Sequence, residues 1–143
     1  MSTLPEPGWR HLGATANAEV YEVDDDLLAI VPHPDSRDDE ATARASIAFQ
    51  DAHWRAAGRR GGGAVFMDNV LEQDAGARAV YANETGHTLT TCYALIGETF
   101  FGMAAGAVFT GLARPGPPTQ VFRALADARP WIAEQTRRRG GPA

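Results

Sequence analysis

Lysine is absent from this 143-residue chain, and cysteine occurs once. All 13 basic residues are arginine. The missing lysine excludes Schiff-base catalysis and a P-loop lysine. Codon bias in a GC-rich genome is its plainest cause. A lone Cys92 excludes an internal disulfide and favours a reducing compartment. The opening MSTLPEPGWR has no basic region followed by an apolar run, so it does not read as a signal peptide. No run of about 18 or more apolar residues is present to span a bilayer. Together these predict a cytoplasmic protein without a membrane span. The net charge of -5 argues against general nucleic-acid binding, which rests on neutralising phosphates. Four histidines (His11, His33, His53 and His87) fall at no metal-ligand spacing. Neither a metal nor a cofactor is expected.

What is present suits one globular domain. Hydrophobic residues make up 44% and charged residues 22%, an ordinary balance for a chain able to bury its own core. The boundaries read as an irregular segment over 1–14, a domain over 15–136 and a flexible basic tail over 137–143. Arg137, Arg138 and Arg139 suit a helix C-terminus more than a binding patch.

Periodicity predicts the elements. Glu19–Val23 alternates and Leu27–Val31 is continuously apolar, with Asp24, Asp25 and Asp26 as the turn between two strands. An acidic helix start at Ser36–Glu40 leads into a helix reaching about Ala57, with Ala43, Ile47 and Trp54 on one side. Gly61, Gly62 and Gly63 read as a flexible connector ahead of a strand at Ala64–Met67. A helix over about Gln73–Asn83, a strand at Thr91–Ile96, a helix over Glu98–Leu112 and a strand at Thr119–Arg123 follow. Asp127 reads as the cap of a last helix, with Pro130 in its first turn. The predicted fold is α/β: a single mixed, mostly parallel sheet of about five strands with four helices, in the order ββαβαβαβα. Cys92, in mid-strand, reads as a buried small hydrophobe rather than a nucleophile.

This order, with Ala77–Tyr81, Tyr93–Gly97, Pro118–Phe122 and Ala128–Ile132, resembles STAS domains, the fold of bacterial anti-sigma factor antagonists. The C-terminal half is more similar still to a group of uncharacterised bacterial STAS-like proteins. The resemblance implies a STAS-like domain and a regulatory or binding role. Antagonists of that fold carry a phosphorylatable serine where this chain has Glu72-Gln73-Asp74-Ala75-Gly76. The usual phosphoswitch is therefore not expected. STAS-like domains are also similar in shape to CRAL-TRIO lipid-transfer domains.

Ligands of open α/β sheets gather at the carboxyl ends of the strands. His33 and Asp35, Asp68 and Asn69, and Glu98 and Thr99 should lie there. They offer acid–base chemistry if they converge, and turn formers and helix caps if they do not. The helix over 98–112 is the stronger feature. Phe100, Phe101, Met103 and Phe109 spread around it, and Gly102 and Gly106 bare one face to close approach. A helix apolar all round exposes more surface than one sheet face covers. Burying three such side chains contributes on the order of 5–9 kcal/mol before entropy costs. The expected function is a non-catalytic binding or regulatory module acting through this helix, as a homodimer or on another protein. The alternatives are a small enzyme acting on an apolar small molecule and an apolar-ligand or lipid carrier.

Overall fold

The aspartates at 24–26 reverse the chain in a tight turn. Asp26 donates its backbone N–H to Asp24 Oδ1 at 2.8 Å, closing a turn between β2 (Ala18–Asp24) and β3 (Leu27–Pro32). The two strands pair antiparallel. In this computed structural model, residues 4–105 and 116–143 are described. The rest of the ladder is β1 (Arg10–Ala14), β5 (Arg59–Phe66), β7 (Thr90–Ile96), β8 (Thr119–Phe122) and β9 (Gly141–Pro142). These form one mixed sheet in the order β1-β2-β3-β5-β7-β8, with β9 paired to the start of β5. A separate parallel pair joins β4 (Ser36–Asp38) to β6 (Val70–Gln73).

Among the described residues, the α/β class and the four helices agree with the sequence reading, but the main sheet has seven strands rather than five. The five expected strands are β2, β3, β5, β7 and β8. The additional β1 falls inside the segment expected to be irregular. It is an edge strand, half exposed, and Arg10 pairs with Glu22 across it. The tail also differs. Helix α4 runs Leu125–Arg139, and β9 then pairs with Arg59 and Arg60. Glu134 pairs with Arg137 and Arg138 one turn on, which extends that helix to its end. The cap of α4 is Ala124 rather than Asp127, so Pro130 lies in the second turn.

Helix α1 (Glu40–Ala57) starts later than expected, because the chain first forms β4. Asp39 caps it: its carboxylate accepts from Thr42 N, and Thr42 Oγ1 accepts from Asp39 N. Gly61, Gly62 and Gly63 are not a connector but the interior of β5. A Cβ at Gly61 would lie 2.1 Å from the Trp54 ring, and one at Gly62 would lie 2.9 Å from Cys92 Sγ. Glycine is needed here for close packing from both faces of the sheet.

Register sorts the side chains. Leu28, Gly63, Tyr93 and Thr119 align across β3, β5, β7 and β8, and so do Ile30, Val65 and Leu95. That face meets α1 through a core of Val20, Leu28, Ile30 and Trp54. The other face carries Ala64, Cys92, Ala94 and Ile96 against Leu125, Ala128 and Ile132 of α4. Parallel strands in sequential order with right-handed crossovers put their connections on one face. Helices α1, α2 (Ala75–Asn83) and α3 (Glu98–Ala105) are those connections. The residues 106–115, which include Gly106, Val108, Phe109 and Leu112, lie outside the described residues. Among the described residues, no helix is long and apolar enough to cross a membrane.

Candidate functional site

The two-stranded β4–β6 pair decides where the site lies. In the chain β4 lies between β3 and α1 and β6 between β5 and α2, so the pair ties the start of α2 to the start of α1. Asp74 caps α2 by accepting from Ala77 N. Ala77 and Val80 then pack on Ala43 and Ile47 of α1 rather than on the sheet. Among the described residues, α1 covers the start of β5 through Trp54 and Gln50, and space is left over the carboxyl ends of β5 and β7. A cavity of about 780 Å³ fills that space. Its floor is Ile30, Val65, Tyr93 and Leu95 of the sheet. Ala79 and Ala82 of α2 and Phe100 and Met103 of α3 form walls. This size and apolar character suit a small organic ligand. Two large hydrophobics stand exposed among the described residues, Leu71 at 58% and Met103 at 66%, and both line this cavity.

A few polar groups interrupt the apolar lining. Gln50 is 2% exposed, and its Nε2 donates to Ser46 Oγ at 3.1 Å. Its Oε1 is buried with no hydrogen-bond partner. A buried acceptor left in this state is costly. The Tyr93 hydroxyl and Thr90 Oγ1 are buried beside each other. Burial pushes the Tyr93 phenol up to about 12, so it keeps its proton. Asp38, buried at the end of β4, is fully engaged. Thr42 Oγ1 donates to it at 2.6 Å, Tyr81 OH at 2.8 Å and Gln73 Nε2 at 3.1 Å. Burial, then the charge of Asp38, raises the Tyr81 phenol well above its usual value. The lining therefore offers recognition by shape and by the unpaired acceptor of Gln50.

The residues expected to gather at the strand ends divide among separate tasks. Asp68 accepts from the backbone N–H groups of Glu98 at 2.8 Å, Thr99 at 3.3 Å and Phe100 at 2.9 Å, which caps α3. Gly97 makes room for it, since a Cβ there would sit 2.4 Å from Asp68 Oδ1. Asn69 Nδ2 donates to Pro32 O at 2.8 Å. Glu98 pairs with Arg123 at 3.1 Å on the surface. His33 Nε2 lies 2.6 Å from Glu19 Oε2, and His11 Nε2 lies 2.8 Å from Glu19 Oε1. A carboxylate only accepts, so each ring donates, and together they hold the Glu19 carboxyl below its usual value. His33, Asp68, Asn69, Glu98 and Thr99 do not line the cavity. Of the aromatic and Met set, Phe100 and Met103 line it, and Phe101 carries the Arg123 guanidinium 4.6 Å from its ring centre. Phe109 lies outside the described residues. Cys92 is buried, and burial pushes its thiol up to about 11. No group of three or more His, Cys, Asp or Glu among the described residues is placed to hold a metal ion.

Gln50, Ser46 and Asp38 were not singled out from the sequence. Gln50 carried a legible signal. Positions 43, 47, 50 and 54 form one helical stripe, and Gln50 is the polar member among Ala43, Ile47 and Trp54. Asp38 carried none, because its burial comes from a strand of three residues. No protein-family profile, no curated protein and no solved structure matches the chain.

Proposed function

We propose that this chain is a non-catalytic binding module whose ligand is an apolar small molecule, held between the sheet, α2 and α3. The observation that carries this reading is the cavity of about 780 Å³ bounded by Ile30, Val65, Leu95, Phe100 and Met103. A STAS-like assignment belongs to the same proposal. Its support is the run of parallel strands β3-β5-β7-β8 in chain order, each joined to the next through a helix. The separation of His33, Asp68 and Glu98 from the cavity favours binding over acid–base catalysis at this site.

The test is titration with N-phenylnaphthylamine, a neutral dye that brightens in apolar surroundings. Wild type should bind it at one site. Ala82→Trp, which places a large ring in the cavity from α2, should weaken binding by about tenfold or more while leaving thermal stability intact. Equal binding by both proteins contradicts the reading.

Self-association is a second reading, favoured by the exposed Met103 and Leu71, both on the cavity lining. Light scattering on wild type and Met103→Asp tests it. A dimer abolished by the substitution supports it, and a wild-type monomer at high concentration removes it.

A further inference from the structure

We infer that the cavity selects ligands bearing an uncharged hydrogen-bond donor, a hydroxyl or a primary amide, seated on the amide oxygen of Gln50. This rests on the binding reading above and names the chemistry of the ligand's polar end. Gln50 is 2% exposed and lines the cavity, yet its Oε1 has no partner. Nε2 donates to Ser46 Oγ, itself on a buried residue, which leaves Oε1 as the amide end without a partner. Oε1 packs over Gly63 of the sheet floor, where a Cβ would come within 2.9 Å of it. An acceptor so placed is satisfied by a donor arriving with the ligand.

Charge narrows the choice. The carboxylate of Asp38 lines the same cavity and is 8% exposed. A carboxylate ligand would bring like charge into a poorly solvated space and meet an acceptor at Gln50. A cation would lose its hydration, while Asp38 already accepts from Thr42, Gln73 and Tyr81. A neutral donor pairs with Gln50 and meets neither cost.

The experiment displaces N-phenylnaphthylamine with four ligands of similar length: decanol, its isomer methyl nonyl ether, decanoate and decylamine. Decanol should bind at least about tenfold more tightly than the ether, which can only accept. Gln50→Met, which keeps the side-chain length and removes the acceptor, should bring decanol and ether within about twofold. Ser46→Ala is the second variant. It frees the amide to present its N–H₂, so the preference for decanol should fall there too. Equal affinity for decanol and ether in wild type overturns the inference, as does tightest binding of decanoate or decylamine. A bound dye that none of the four displaces overturns it as well and leaves the cavity reading standing. Failure of the dye and all four ligands to bind removes the cavity reading itself.

Discussion

Single residues set how closely the layers approach. Trp54 is 1% exposed, and its ring occupies the place where a Cβ on Gly61 would stand. Gly61→Ala should lower stability by about 1–3 kcal/mol through overpacking. Gly86→Ala, where nothing lies within 4 Å, should stay within about 0.5 kcal/mol of wild type. Urea unfolding of both variants checks the contrast, and equal midpoints would show that the Trp54–Gly61 contact is not tight. Glu19 gives a prediction in pH. His33 and His11 lower its carboxyl from the ordinary value of 4.5, so the folded state holds that proton less readily than the unfolded chain. The resulting stabilisation is complete above the ordinary value. It is lost as pH falls through the lower, folded one. Stability measured from neutral pH down to about pH 3 should therefore fall less steeply in Glu19→Gln than in wild type. Parallel curves would show that the two histidines do not stabilise the ionised carboxyl.

Elements place the site. Helix α3 begins at the carboxyl end of β7, and three of its first N–H groups are satisfied by Asp68 from the turn after β5. Asp68→Ala should cost about 0.5–2 kcal/mol and speed hydrogen exchange at Glu98, Thr99 and Phe100 first. Uniform exchange changes across the sheet would contradict a local cap. The alternative reading of Asp68 as a turn or cap residue was thus legible in the sequence, although its partner helix was not. Strands β3, β5 and β7 were legible because their apolar runs are buried on both faces. Edge strand β1 was hidden by its polar residues, and β4 and β6 are too short to show a period. The glycines of β5 looked like a linker because their reason lies in Trp54 and Cys92, far away in the chain. The apolar character of α3 was visible from Phe100, Phe101 and Met103. The space beside it was not, because it depends on β4 and β6 tying the start of α2 to the start of α1.

At the scale of the whole molecule, one sheet serves two faces differently. Helix α4 closes one face with Leu125, Ala128 and Ile132. On the other face, among the described residues, α1 packs over β5 through Trp54 and meets Val20, Leu28 and Ile30, and α2 leans on α1 beside it. The cavity is the space this arrangement leaves over the carboxyl ends of β5 and β7, and a ligand there would stabilise the folded state in proportion to its binding. A crystal grown with a bromine-terminated decanol tests the claim most directly. The account predicts an anomalous bromine peak among Ile30, Val65 and Leu95 or along the chain's path between them and Met103, with the hydroxyl at Gln50. A cavity without bromine, with peaks only on the outer surface or none, would contradict it.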